Sequence, residues 1–132
     1  MDPGKPPMES AGASERKTFF DGRYLQEKFT GEMMGNPFNG LGFTGYDNNA
    51  KKYVSTCMDS MSTSILFFEG TAGADGKTIT QKSSYNDTFR GPAVWRSVIR
   101  FLDDDTEIFE MYNNVRGKKE EKTMEITYTR KR

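Results

Sequence analysis

The sequence predicts an all-β fold, an antiparallel up-and-down barrel, and three observations carry that prediction. From Arg16 to Tyr128, short stretches alternate apolar and polar residues, the period of half-buried strands. Clusters of Gly, Asn and Asp interrupt these stretches at short intervals, as turns require. No stretch sustains a helical period. The 132 residues suit one domain and one core. Residues 1–7, Met1-Asp2-Pro3-Gly4-Lys5-Pro6-Pro7, read as a flexible segment, and 8–132 as the barrel domain.

The elements follow in order. Met8 to Phe20 is ambiguous, with Ser10, Gly12 and Ser14 alternating with Ala11 and Ala13, and suits a weak edge strand. Asp21-Gly22 is a tight turn into a strand over Arg23 to Thr30, where Leu25, Glu27 and Phe29 share a face. A glycine-rich stretch over Gly31 to Gly45 follows, and Asp47-Asn48-Asn49 turns the chain into Lys52 to Asp59. Ile65 to Gly70 is the most apolar strand, and Ala74-Asp75-Gly76-Lys77 is a hairpin turn before Thr78 to Tyr85. Residues 86–92 read as a loop. Val94 to Leu102 and Thr106 to Tyr112 flank Asp103-Asp104-Asp105, and Met124 to Thr129 closes the series. That gives eight or nine strands with short connections and no internal repeat.

Composition excludes several functions. The apolar fraction is 34%, but 10 Phe, 6 Tyr, 8 Met and 1 Trp place burial in large side chains, so the chain reads as folded rather than disordered. Lys plus Arg equals Asp plus Glu at 19 each, which argues against nucleic acid as a partner. No stretch approaches the ~20 apolar residues of a membrane span, so no membrane partner is expected. Cys57 is alone, which fits a reducing, cytoplasmic setting.

Each motif has an ordinary structural reading beside the functional one. Gly40-Leu41-Gly42-Phe43-Thr44-Gly45 matches the dinucleotide fingerprint, yet that fingerprint needs a helix after it to meet the pyrophosphate. A turn follows here, so nucleotide binding is rejected. Asp103-Asp104-Asp105 lacks the spacing of a calcium loop and reads as a hairpin tip; no metal or cofactor is expected. Histidine is absent, which removes the commonest base for a nucleophile. Cys57 sits mid-strand as inert packing.

Carboxylate, Tyr and Arg chemistry remains, and the Asp103-Asp104-Asp105 hairpin is the place for it. A loop of odd length puts Trp95, Ile99 and Phe101 on one face with Phe109 and Met111. Arg96 and Arg100 then share the other face with Glu110 and Tyr112. An even loop would bring Arg100 among Phe109 and Met111, so burial favours the odd one. The ordinary reading is a core side and a solvated side with cross-strand ion pairs. The functional reading makes the Arg face a wall that orients an anionic ligand.

Three groups of residues resemble one family. They are Gly31-Glu32-Met33-Met34-Gly35-Asn36-Pro37-Phe38 with Gly45-Tyr46-Asp47-Asn48; Lys52-Tyr53-Val54-Ser55-Thr56 with Asp59-Ser60-Met61-Ser62-Thr63; and Asp103-Asp104-Asp105-Thr106, Phe109-Glu110-Met111-Tyr112 and Met124-Glu125-Ile126-Thr127-Tyr128-Thr129-Arg130-Lys131. Nearly the whole chain, in order, resembles the bacterial domain-of-unknown-function family 1579. The resemblance implies a calycin-like (lipocalin-type) barrel and carries no established activity. Members have an upstream Trp-x-Gly segment that begins the barrel, so the chain reads as a barrel short of its first strand. The position of Cys57 is usually aromatic in the family. An open seam exposes unpaired backbone groups, from which a homodimer through the barrel edge, or a seam patched by residues 8–20, is expected.

The first functional expectation is a barrel binding an apolar or amphipathic small molecule, with Met33, Met34, Met58 and Met61 near its mouth. The second is a cofactor-independent lyase or isomerase, by fold analogy. There Arg96 or Arg100 would hold a substrate carboxylate, and Glu110 or Glu69, with a raised pKa, would be the acid or base. Tyr53, Tyr112 or Tyr128 would assist. The third is a homo-oligomeric interaction protein without a ligand. The balance favours a non-enzyme. The candidate ligand-binding residues are Tyr53, Met61, Glu69, Arg96, Arg100, Glu110, Tyr112 and Tyr128.

Overall fold

The computed structural model describes residues 10–33 and 35–130. The expected flexible segment 1–7, Met34 and the Met33 side chain lie outside the described residues. Nine strands follow one another: β1 (Gly12–Phe19), β2 (Tyr24–Met33), β3 (Asn36–Asp47), β4 (Lys52–Asp59), β5 (Leu66–Ala72), β6 (Thr78–Asp87), β7 (Gly91–Phe101), β8 (Thr106–Val115) and β9 (Glu121–Thr129). The fold is all-β, antiparallel and up-and-down, as the alternation predicts. Among the described residues, no helix is long and apolar enough to cross a membrane.

The chain forms two compact units, divided between Phe68 and Glu69. In the first, β1 to β4 pair in sequence order. The ambiguous stretch before Phe20 is strand β1, and the glycine-rich stretch is the 12-residue strand β3. The fingerprint glycines lie inside β3, which pairs with β2 and β4 without a register shift. Gly45 stands opposite Tyr24, whose ring fills the space a side chain would take; a Cβ there would lie 2.7 Å from it. Aromatic pairs supply much of the packing here, with Phe29 edge-on to Phe38 at 5.8 Å and Phe19 at 6.4 Å from Phe43.

In the second unit, β5 pairs with β6 through Glu69–Ala72, and β6 to β9 continue in order. Ala93 and Val98 are buried together with Gln81, Ser83, Ser97 and Glu110. Trp95 stacks on Tyr85 at 6.0 Å. The expected loop over 86–92 shrinks to a three-residue turn, because β6 runs to Asp87 and β7 begins at Gly91. A register shift at Met111/Tyr112 leaves Thr123 without a partner across the ladder, and its hydroxyl donates to the Met111 carbonyl at 3.2 Å. This bulge carries β9 back to Glu121, before the expected start at Met124.

One device recurs at five turns. The Oδ1 atoms of Asp47, Asp59, Asp75, Asp87 and Asp103 each accept the backbone N–H two residues on, at 2.8–2.9 Å. Such Asx turns stop a strand by offering its backbone a local partner. The triplet Asp103-Asp104-Asp105 is accordingly a hairpin tip.

Gly70 is a position where only glycine fits. A Cβ there would meet the Thr80 carbonyl oxygen of β6 at 1.8 Å, a backbone atom that cannot step aside. Gly70→Ala is expected to destabilise the protein by about 1–3 kcal/mol through overpacking, read as a lower urea midpoint. An unchanged midpoint would show that β5 does not approach β6 so closely.

Candidate functional site

The candidate site starts from the parity of one turn. Leu102 N–H donates to the Thr106 carbonyl at 3.0 Å, leaving three aspartates between the strands. The odd loop then pairs Arg96 with Tyr112, Val98 with Glu110 and Arg100 with Ile108 across β7 and β8. Ser97–Met111 and Ile99–Phe109 pair on the opposite face. This is the division that burial predicts. Neighbouring strands extend the polar face. Lys82 pairs with Arg96 and Glu69 with Lys82, while Lys122 pairs with Tyr112 and Glu125 with Glu110. Glu69, Lys82, Arg96, Tyr112 and Lys122 therefore form one row across five strands.

Glu110 is the centre of that face, with only 4% of its surface exposed. Arg100 Nη1 lies 2.9 Å from its Oε1, Lys122 Nζ lies 3.0 Å from Oε2, and the Tyr112 hydroxyl donates to Oε2 at 2.8 Å. The hydrogen bond from Lys122 holds the Glu110 carboxyl below its ordinary pKa, aided by Tyr112 and Arg100 against the opposing effect of desolvation. Donating to that carboxylate pushes the Tyr112 phenol up. Lys122 also pairs with Glu125, and both carboxylates raise its pKa.

Arg96 is held from two sides. Its Nε and Nη2 donate to the two carboxylate oxygens of Glu120 at 3.0 and 2.6 Å, and its guanidinium lies 4.2 Å from the centre of the Tyr112 ring. The Glu120 carboxyl is held low by this pairing. The site is thus a set of charge-assisted bonds among β7, β8, β9 and the turn before β9.

One sequence expectation needs correction. Glu110 was expected to be desolvated with a raised pKa, ready to act as an acid or base. It is covered, but Lys122 and Tyr112 bond its Oε2 and Arg100 pairs with it by charge alone, leaving Oε1 without a hydrogen bond, and these attractions outweigh the desolvation. Glu110 stays ionised and is a poor proton donor at neutral pH. The Arg96 fork, expected to meet a substrate carboxylate, already holds Glu120.

Of the predicted site residues, Glu69, Arg96, Arg100, Glu110 and Tyr112 lie on this one face. Tyr128 pairs with Glu107 and belongs to the opposite face. Tyr53 and Met61 belong to the first unit, where Tyr53 packs 5.0 Å from Tyr46 and Met61 is exposed. Sequence reasoning missed Lys82, Glu120, Lys122 and Glu125. Lys82 was reachable by extending the pairing argument one strand further; Glu120 and Lys122 depend on a turn and a bulge that leave no pattern in the alternation. Cys57 is half-buried, and burial, with Asp59 and Glu27 nearby, pushes its thiol up and keeps it unreactive.

Beside the charged network an open cleft of about 420 Å³ lies within the second unit. Tyr85, Pro92, Ala93 and Val94 give it apolar surface, while Lys82, Asn114 and Glu120 stand at its rim. A smaller cleft of about 260 Å³ in the first unit is lined by Phe29, Leu41 and Met58 with Lys28 and Asp59.

A family model described as "Protein of unknown function (DUF1579)" matches residues 1–130. The chain belongs to this family. No curated protein matches it. Membership in DUF1579 agrees with the resemblance read from the sequence and adds no activity, so function rests on the residues themselves.

The network makes the stability of this DUF1579 protein depend on pH. Glu110, Glu120, Asp75 and Asp87 all have lowered pKa values. A carboxyl with a lower folded pKa contributes stability above its unfolded value, about 4, and loses it as pH falls through the folded value. The urea midpoint is therefore expected to hold from neutral pH to about 5 and to fall below about 4. Glu110→Gln should cost about 1–2 kcal/mol at neutral pH, less than a fully buried pair because Arg100 and Lys122 are partly solvated. It should also flatten the acid limb. If neither the midpoint nor the limb moves, Glu110 does not anchor this face.

Proposed function

We propose that the protein binds a small amphipathic molecule without catalysis, on the cleft beside Arg96. The cleft carries the reading: about 420 Å³ of open space with apolar surface from Pro92, Ala93, Val94 and Tyr85 and a rim of Lys82, Asn114 and Glu120. That volume falls within the usual range for small-ligand sites, and a mixed lining with a few polar groups suits a ligand with one apolar and one polar end. Lys82, exposed at the rim, favours an anionic head group. Arg96, Glu110 and Tyr112 then act as the support that fixes the wall.

The lyase or isomerase reading is weaker. Glu110 is held ionised and Arg96 is held by Glu120, so neither is poised for proton transfer or substrate capture. The lone, half-buried Cys57 supports placing the protein in a reducing compartment such as the cytoplasm.

The test uses anilinonaphthalene sulfonate, an amphipathic anion, as a fluorescent probe. Wild type is expected to bind it with micromolar affinity. Val94→Trp, which fills the cleft, and Lys82→Glu, which reverses the rim charge, should each weaken binding about tenfold. Native mass spectrometry of freshly purified protein then reports any carried ligand and the oligomeric mass. Probe binding that both variants leave unchanged would remove the cleft from consideration.

A further inference from the structure

The second unit is polarised along its strands. The β5–β6 and β7–β8 turns, at one end, carry Asp75, Asp103, Asp104 and Asp105. The β6–β7 and β8–β9 turns, at the other, carry Arg90, Arg116, Lys118 and Lys119. Cations at the acidic end are fewer: Lys77 in the β5–β6 turn, and Arg130, which lies 3.8 Å from Asp105 and donates its backbone N–H to the Asp105 carbonyl. Carboxylates at the basic end are mostly engaged: Asp87 faces Arg90 at 3.3 Å, and Glu120 faces Arg96. Glu121 begins β9 there. Lys118 and Lys119 remain exposed.

Two observations make this basic end more than scattered charge. Its two turns are tied together. Arg116 donates its backbone N–H to the Pro92 carbonyl at 2.7 Å, and its Nε donates to the Arg90 carbonyl. Arg116 and Gly117 both have positive φ, which folds the turn sharply, and Asn114 donates its side-chain N–H to the Lys118 carbonyl. The cations are therefore presented on a fixed platform. Beside them, Phe89 occupies the turn between β6 and β7 with 93% of its surface exposed. Its backbone N–H is held by Asp87 at 2.9 Å, so the turn is formed while the ring stands in water.

An apolar ring in water costs free energy that packing elsewhere would recover. A bare aromatic flanked by cations matches the interface of an anionic bilayer, where the ring enters the acyl boundary and the cations meet head groups. We propose that the β6–β7 and β8–β9 turns dock on an anionic membrane surface, with Phe89 inserted and Arg116, Lys118 and Lys119 on lipid phosphates and carboxylates. Peripheral contact of this kind needs no apolar span, so the expectation of no membrane partner, which rested on the lack of one, does not bear on it. An extended nucleic acid fits less well, since Phe89 is the sole exposed aromatic on these two turns and offers no run of stacking surfaces. The docking does not require an occupied cleft, but Pro92 and Gly117 also line that cleft, and docking would bring it close to the bilayer.

The test is co-sedimentation of the full chain with phosphatidylcholine vesicles, with and without phosphatidylserine. Binding is expected only with phosphatidylserine and should weaken as salt is raised. Phe89→Ala and the double variant Lys118→Glu/Lys119→Glu should each weaken it about tenfold or more, while urea midpoints stay at the wild-type value because the three residues are exposed. Equal sedimentation with both vesicle types, no sedimentation at all, or binding indifferent to both variants would overturn the proposal. So would a preference for single-stranded nucleic acid over the vesicles.

Discussion

The Asx turn is the constraint on which most of this structure depends. An aspartate oxygen accepting the N–H two residues on fixes where a strand stops, and in a sheet of period two that choice decides which face each later side chain occupies. Asp103 shows the consequence most directly. Its bond to Asp105 N–H closes a three-residue tip, and the odd count sets Arg96, Arg100, Glu110 and Tyr112 on one side of β7 and β8. A single inserted residue would move Arg100 toward Phe109 and Met111.

The polar face is then assembled in pairs rather than as a pocket built around a ligand. Glu110 takes Tyr112 and Lys122 on one oxygen and the charge of Arg100 beside the other, and Arg96 takes Glu120 and Tyr112. Four cations and four carboxylates, Lys82, Arg96, Arg100 and Lys122 against Glu69, Glu110, Glu120 and Glu125, lie on or beside it. Such balance stiffens a wall and holds Glu110 and Glu120 ionised. That is suited to supporting a neighbouring cleft and poorly suited to moving protons, which needs a group poised near neutrality.

Sequence and structure diverge where local chemistry overrides alternation. The glycine-rich stretch does not read as a strand by hydrophobic period, yet Asn36–Asp47 is one, because β2 and β4 satisfy its backbone and the Tyr24 ring covers Gly45. The five turn aspartates alternate between a shorter and a longer separation. This regularity is invisible as a repeat, since the strands between them share no pattern beyond period two. Glu120 lies outside every alternating stretch, and only folding of the turn after Arg116 brings it to Arg96.

Period two and turn chemistry are local, and they sufficed for the all-β class, the up-and-down order and the composition of the two faces around Asp103. The family was legible for the same reason, since its signature lies in contiguous runs. The state of Glu110, the capture of Arg96 by Glu120, and the tie of Arg116 to the turn that carries Phe89 were decided by tertiary structure alone. Each joins residues from different turns or strands. Their charge and exposure depend on which groups arrive beside them in space, a quantity that spacing along the chain does not encode.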